Sequence, residues 1–467
     1  YCIFTSGSTG RPKGVVVLHR NLLTYAASVL SDYDANVCPF SREDSHNWLA
    51  SFAFDQSISE IIKPLCLGAS IVVTPADVRE PFDAQRHADV LMSQRATLCC
   101  TTPAAFYVLM PFLKPALLTR LRWQELCSDK TEMRKIQRFC ASCPWVRFVT
   151  AYGPTECTVS STLCPIDTEV KKERLWEFLI GWTCPGNRIY VTKDIANLCP
   201  VGIPGELCIG GDQVTAGYAK SPIKTATAFI ADPFSDIPGS RMYRTGDLVR
   251  WVTSNYAELE YMGRIDFQVK IRGLRIELGE IEARLAVHEG IKRPMVIVRE
   301  DTPGQPYITA YYTHSDEYLE EGKTIPDSEL VAHCKQSLPE YMVPTCYVAL
   351  EAYPVTNSMK VDRARLPVPQ APVAAEAAPP IGPVEERIAR IWCEVFNVKS
   401  VDRKMSFYAT GGNSLIAMTF IVKIRMAFGL SDKDFPMSLF FADPCVAGLA
   451  LALSTGGAAE DTTGWPG

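Results

Sequence analysis

Ten consecutive residues, Thr5-Ser6-Gly7-Ser8-Thr9-Gly10-Arg11-Pro12-Lys13-Gly14, carry four hydroxyls, three glycines and two cations. Hydroxyls and open backbone amides donate hydrogen bonds to an anion, and glycine lets the chain approach one without a Cβ in the way. A triphosphate is the anion this loop suits; taken alone, the stretch also fits a solvated Ser/Gly turn. It is not a P-loop, which needs Gly-Lys-Ser/Thr opening a helix, whereas Lys13 lies between Pro12 and Gly14.

Four further stretches place reactive side chains at short spacing. In Phe148-Val149-Thr150-Ala151-Tyr152-Gly153-Pro154-Thr155-Glu156 an apolar run enters a turn and then offers an aromatic ring, a hydroxyl and a carboxylate. Tyr152 can stack on a purine, Thr155 bond a phosphate and Glu156 hold Mg²⁺; alternatively Thr155 and Glu156 simply begin the next helix. Asp55 follows Phe52-Ala53-Phe54, where an unpaired carboxylate is costly to bury. It either caps the segment through Glu60 or meets a cation. Asp247, in Tyr243-Arg244-Thr245-Gly246-Asp247, is read at a strand end, as an acceptor for two ribose hydroxyls or as a turn aspartate. Ser414, after Gly411-Gly412-Asn413, opens a helix, either as its cap or with its hydroxyl toward solvent.

Among the elements that must hold these residues, Tyr1–Phe4 and Val15–Leu18 read as strands joined by the phosphate-type loop. The stretch 46–110 alternates strand and helix, including Ser70–Thr74, a helix around Val90-Leu91-Met92 and a helix opened by Pro103, the rhythm of a parallel sheet flanked by helices. Gly205–Gly211 and Met242–Leu248 read as short strands of a smaller β-rich subdomain. A helix after Leu278 is expected to carry Ile281, Leu285 and His288 on one face and to close at Gly290. A Pro/Ala linker follows Arg365. Beyond it, Pro383 starts a helix with Ile388, Ile391, Trp392, Val395 and Phe396 on one face; Leu415, Met418 and Val422, then Val446, Leu449 and Leu453, mark two more.

At 467 residues and 47% hydrophobic content the chain can bury several cores. Net charge −5 and the lack of a basic tract argue against a nucleic-acid or anionic membrane partner. Seventeen cysteines scattered without a framework fit reduced thiols in the cytoplasm. The single Cys140/Cys143 pair has no second pair or nearby histidine for zinc. The chain starts without methionine, in mid-strand, and is read as a fragment of something longer.

These motifs, in this order along nearly the whole chain, resemble the adenylation domain of a nonribosomal peptide synthetase followed by its thiolation (peptidyl carrier) domain. Also in family order are Gly263-Arg264-Ile265-Asp266-Phe267-Gln268-Val269-Lys270-Ile271-Arg272-Gly273 and Leu338-Pro339-Glu340-Tyr341-Met342. The resemblance implies an α/β, adenylate-forming (acyl-CoA synthetase-like) fold. Its partial large N-terminal subdomain (1–265) would be followed by a small α+β C-terminal subdomain (266–365) hinged at Asp266. Then come a linker (366–380), an all-α four-helix carrier bundle (381–455) and a tail (456–467).

In such enzymes an amino-acid carboxylate attacks the α-phosphate of MgATP, and the aminoacyl group passes to the carrier's 4′-phosphopantetheine thiol. Thr5, Ser6, Gly7, Ser8, Thr9, Gly10 and Lys13 would grip pyrophosphate. Tyr152 and Gly153 would border adenine, Thr155 contact phosphate, Glu156 hold Mg²⁺, and Asp247 and Arg264 hold the ribose. Lys360 would reach both substrate carboxylate and α-phosphate, and Ser414 would carry phosphopantetheine. Asp55 would pair the substrate ammonium. The side-chain pocket would take Gln56, Ser59, Ala151, Val159 and Ser160, with Cys100, Glu125 and Cys127; Glu125 there would favour a basic or hydrogen-bonding side chain. Departures from the family pattern are Thr150, Ala216, Asn413 and Ser358-Met359 before Lys360. Implied partners are an amino acid, a phosphopantetheinyl transferase and neighbouring condensation or other synthetase domains. An aminoadipate-reductase-like unit, or an inactive fragment serving only as a carrier, would share these motifs.

Overall fold

The computed structural model describes residues 1–6, 12–31, 40–79, 82–129, 131–166, 179–252, 258–265, 268–271, 274–301, 306–320, 322–355, 361–369, 378–396, 398, 400, 401–407, 410, 414–431 and 434–454. They form two compact units, Tyr1–Ala283 and Arg284–Gly467.

In the first unit the strands Ser70–Val73, Ser45–Trp48, Leu98–Thr101, Trp123–Cys127 and Arg147–Tyr152 lie side by side and parallel, as the strand–helix rhythm implies. The strands Leu98–Thr101 and Trp123–Cys127 are buried throughout, as a sheet covered on both faces requires. On one face Leu126, Phe148, Phe106 and Phe139 form a core of edge-packed rings. On the other, Leu98, Cys100, Trp123, Cys127, Val149 and Ala151 pack with Tyr25 of the helix His19–Ser31 and Ile58 of the helix Gln56–Leu67.

The glycine-punctuated strands expected to form a separate β-rich subdomain instead extend this same sheet. Thr162–Ile166 pairs antiparallel with Arg147–Tyr152, and the order continues through Leu179–Thr183, Leu259–Arg264, Arg241–Trp251, Gly205–Gly211 and Asn187–Asp194. Each added strand finds its partner in an open edge of the last, so the two regions share one backbone hydrogen-bond ladder. Asp247 accordingly lies inside the strand Arg241–Trp251, opposite Arg264, and not at a strand end. The opening loop does join two strands: Cys2–Thr5 pairs antiparallel with Lys13–Val16. The hairpin Gln268–Ile271 and Leu274–Glu277 follows within the same unit. The next helix, Leu278–Leu285, ends before His288, because His288 Nδ1 accepts from the Gly290 amide and shapes a turn there.

In the second unit, Ile291–Arg299 and Tyr307–His314 pair antiparallel and Cys346–Ala349 adds in parallel. Beyond the linker lie the helices Gly382–Phe396, Ser414–Phe428, Met437–Ala442 and Val446–Ser454. Their apolar faces are those the spacing implied: Ile388, Trp392, Met418, Val446 and Leu449 are buried. Phe407, fully enclosed, contacts the rings of Trp392, Phe396, Phe420 and Phe440 at 4.9–5.4 Å between centroids. Glu385 does more than face the helix dipole: it accepts from both arms of Arg403 at 2.6 and 2.9 Å and from the Ile381 amide.

Because Phe407 is the ring on which four others close, Phe407→Ala should cost about 3–5 kcal/mol. Amide exchange across 382–454 would register this as lost protection, while the first unit keeps its own; unchanged protection would remove Phe407 from the centre of that core.

Candidate active site

The site lies where the parallel strands end. After Arg147–Tyr152 the chain makes a single 3₁₀ turn, Thr155–Cys157, so Thr155 and Glu156 do not begin a long helix. Gly153 is required there, since a Cβ on it would meet the Val159 carbonyl oxygen at 2.1 Å. Thr158 and Val159 follow with φ of +58° and +69°, a left-handed conformation that costs β-branched residues of order 1–3 kcal/mol each. The Thr158 hydroxyl, donating to the Gln213 carbonyl at 2.8 Å, and the Ser161 amide, donating to the Tyr152 carbonyl at 2.8 Å, hold the turn closed.

That turn buries Glu156 completely. Its Oε1 accepts from the Tyr218 hydroxyl at 2.8 Å and faces Lys13 Nζ at 3.5 Å, while Arg275 Nη1 reaches Oε2 at 3.0 Å and Oε1 at 3.2 Å. Burial alone would raise the carboxyl; Arg275, Lys13 and Tyr218 outweigh it and hold the group down to about 2. Burial, then Arg275, lowers the Lys13 ammonium, with Glu156 opposing. Lys13 also donates to the Tyr218 hydroxyl at 3.2 Å, and Ser6 Oγ donates to the Arg275 carbonyl at 3.1 Å. The Thr5 hydroxyl, at the start of the loop, is sealed from solvent with no partner among the described residues.

A second cluster adjoins it. The Tyr152 hydroxyl donates to Asp247, whose other oxygen accepts from Arg264 Nη1 at 2.7 Å. Arg264 Nη2 donates to the Thr245 carbonyl at 3.0 Å. Burial and the Asp247 charge push the Tyr152 phenol up, so it stays a donor. One face of its ring carries the Lys270 ammonium, 5.3 Å from the centroid.

Asp55 occupies the N-cap position of the helix Gln56–Leu67 yet makes no side-chain cap bond. Its Oδ2 is shielded from solvent and has no partner among the described residues; burial raises the carboxyl to about 6, opposed by a hydrogen bond from Thr155 and reinforced by Glu156. Below it the helix and sheet converge. Gln56 Nε2 donates to Cys100 Sγ at 2.8 Å, Cys100 Sγ lies 3.8 Å from Cys127 Sγ, and Lys63 Nζ donates to Glu125 Oε2 at 2.6 Å. Ser59, Glu125, Ala151, Val159 and Ser160 are buried on the same side.

Gly7, Ser8, Thr9, Gly10, Asp266 and Lys360 lie outside the described residues. Ser414 is the first residue of the helix Ser414–Phe428, and its side chain is also outside the description. Sequence reasoning did not single out Tyr218, Arg275, Lys270 or Lys63. Tyr218 and Arg275 each stand beside a glycine-marked strand turn, a signal of position but not of partner. For Mg²⁺, which takes one or two carboxylates plus phosphate oxygens, an ionised, buried Glu156 is a suitable donor. Arg275 contacts both of its oxygens here, so a metal at this carboxylate requires that side chain to withdraw.

Residues 1–219 match the AMP-binding enzyme family and residues 386–453 the phosphopantetheine attachment site. Gramicidin S synthase 2 of Brevibacillus brevis is 35% identical over 98% of this chain, and a dimodular nonribosomal peptide synthase of Bacillus subtilis 36% over 98%. The chain spans only 10% and 19% of those proteins. Among solved structures, a holo NRPS protein containing adenylation and PCP domains, bound to a vinylsulfonamide inhibitor, superposes with a TM-score of 0.75 at 24% identity. It covers 98% of this chain and 72% of its own, and it shares the fold.

Asp55 gives a measurable consequence. A carboxyl whose pKa is raised on folding binds protons in the native state that the unfolded state has lost, so its penalty is absent below about pH 4, grows toward 6 and is complete above. Asp55→Asn should therefore raise the melting temperature at pH 7.5, by at most about 2–3 kcal/mol of stability, and do nothing at pH 3.5. Equal effects at both pH values would mean that the carboxylate is not an uncompensated charge.

Proposed function

We propose that this chain, whose residues 1–219 match the AMP-binding enzymes and residues 386–453 the phosphopantetheine attachment site, the composition of a nonribosomal peptide synthetase module, activates an amino acid and loads it onto its own carrier. The observation that supports this most is the shielded Asp55 oxygen, which has no partner among the described residues and suits an ammonium, beside a cluster of cations around Glu156 that suits phosphates. Asp55 takes the substrate ammonium, which leaves the α-carboxylate directed toward the Thr155 turn. One carboxylate oxygen attacks the α-phosphorus of ATP; the new P–O bond forms as the bond to pyrophosphate breaks. Thr5, Ser6 and Lys13 with Gly7 to Gly10 receive the pyrophosphate, and the Tyr152–Asp247–Arg264 cluster receives adenine and ribose.

Lys360 contributes a cation to the charge that develops on carboxylate and phosphate. Mg²⁺, held by Glu156 with phosphate oxygens once Arg275 withdraws, would supply further neutralisation of the phosphates. For the second half-reaction Ser414 would hold the phosphopantetheine arm, whose thiol would supply the acceptor for the aminoacyl group, with AMP as the leaving group that keeps the former carboxylate oxygen. Rotation of the 266–365 segment about Asp266 would exchange the two half-reactions. A phosphopantetheinyl transferase supplies the arm, neighbouring synthetase domains receive the product, and a cytoplasmic setting suits the free thiols.

Amino-acid-dependent pyrophosphate exchange in the full natural protein tests this. Ser414→Ala should leave exchange within about two-fold while abolishing retention of labelled amino acid on the protein. Lys360→Ala should cut exchange by roughly 10²–10³, the scale of one lost charge-stabilising group. Ser414 loading without exchange by any amino acid would leave a carrier alone and defeat the adenylation half.

A further inference from the structure

Beneath Asp55, the helix–sheet interface ends in a group of buried polar atoms that the steps above do not use. Lys63 and Ser59 are completely enclosed, and Glu125 is 8% exposed. Lys63 Nζ binds Glu125 Oε2 at 2.6 Å, but Glu125 Oε1 is sealed from solvent with no hydrogen-bond partner among the described residues, and the Tyr25 hydroxyl pairs only with Ser59. The group is convergent: Tyr25, 1% exposed, lies within electrostatic reach of both Lys63 and Glu125 and beside Ser59. Native proteins rarely leave a buried carboxylate oxygen unmatched, and beside two hydroxyls this one waits for a donor.

The geometry says how far away that partner is. Ser59 and Lys63 lie four and eight residues beyond Asp55 on one helix, about 6 and 12 Å along its axis. Across from them, Cys127 and Glu125 are successive same-face residues of the strand Trp123–Cys127, with Cys127 nearer the strand end where Asp55 sits. A side chain entering past Gln56, Cys100 and Cys127 must therefore be several bonds long before it meets a polar group.

We propose, on the basis of the adenylation reading, that Lys63, Glu125, Tyr25 and Ser59 select an amino acid with a long, neutral side chain ending in a hydrogen-bonding group, as a glutamine-type carboxamide does. The carboxamide N–H donates to Glu125 Oε1, and its oxygen accepts from the Tyr25 or Ser59 hydroxyl. Lys63 decides the charge. It already neutralises Glu125, so a cationic substrate would place a second positive charge beside it, while an anionic one would face Glu125. An aliphatic chain would leave Glu125 Oε1 unmatched, and a site built to hydrogen-bond its substrate rejects an analogue that cannot. The preference for a basic or hydrogen-bonding side chain expected from Glu125 alone is thus narrowed to the neutral one, because the sequence did not reveal Lys63 as the partner.

The test is pyrophosphate exchange in the full natural protein with glutamine, ornithine, glutamate and norleucine, four side chains of similar reach. Glutamine should lead, with kcat/KM roughly a hundred-fold or more above norleucine. Lys63→Met should raise the ornithine-to-glutamine ratio at least about ten-fold, since Glu125 then lacks its counter-ion. Tyr25→Phe should lower the glutamine-to-norleucine ratio by about ten-fold. If Lys63→Met does not fold, as circular dichroism would report, the wild-type order and Tyr25→Phe decide. Exchange led by norleucine, ornithine or another apolar or charged amino acid overturns the inference alone. Exchange with no amino acid at all overturns the adenylation reading and takes the inference with it.

Discussion

A carboxylate with no access to water, on Glu156, is the constraint around which the first unit is arranged. It is tolerated only because Lys13, Tyr218 and Arg275 reach it from three stretches far apart in sequence. Removing one partner of such a buried arrangement leaves an uncompensated charge, which typically costs about 3–5 kcal/mol. The opening hairpin, the Gly217–Tyr218 strand that pairs with it and the Gln268–Glu277 hairpin must therefore all meet at one point. That point coincides with the strained turn at Thr158 and Val159, and the strain is sustained because Gly153 allows the chain to fold back and the Thr158 hydroxyl fixes it. Cations gathered on one ionised glutamate, next to a loop of hydroxyls, are what a polyphosphate requires of its binding site.

The same region contains groups that are not satisfied, and the contrast is informative. Glu156 is fully engaged, whereas Asp55 and Glu125 each keep one oxygen with nothing to accept from among the described residues. One sits at the head of the helix Gln56–Leu67 and the other on the strand Trp123–Cys127. Stability is given up at each such oxygen, which is the usual relation between a binding site and the fold that carries it.

What the sequence made legible follows from how far apart the interacting residues are. The opening hairpin, the parallel strands and the faces of the carrier helices rest on periodicity and turn residues within ten or fifteen positions, and these came out as expected. The glycine-rich strands after residue 200 were recognised as strands but assigned to a body of their own. A strand's local pattern says that it wants a neighbour, not which neighbour, and here the open edge at Leu179–Thr183 carries the sheet onward into Leu259–Arg264. Asp55 was open between cap and ligand because both need the same residue at a helix start; only the absence of a cap bond separates them.

The pairings missed altogether share one property. Lys63 reads as an ordinary polar position in an amphipathic helix, and Arg275 as an exposed cation in a short hairpin, because charged residues are usually at the surface. Their placement is decided by partners 62 and 119 residues away, Glu125 and Glu156. No local signal distinguishes a lysine that will meet such a partner from one that will meet water. The consequence for reading a site of this kind is specific: an acidic residue placed in a pocket by its motif fixes the hydrogen-bonding capacity there, but not the net charge. The charge belongs to the pair, and Glu125 with Lys63 presents a neutral surface where Glu125 alone would have presented a negative one.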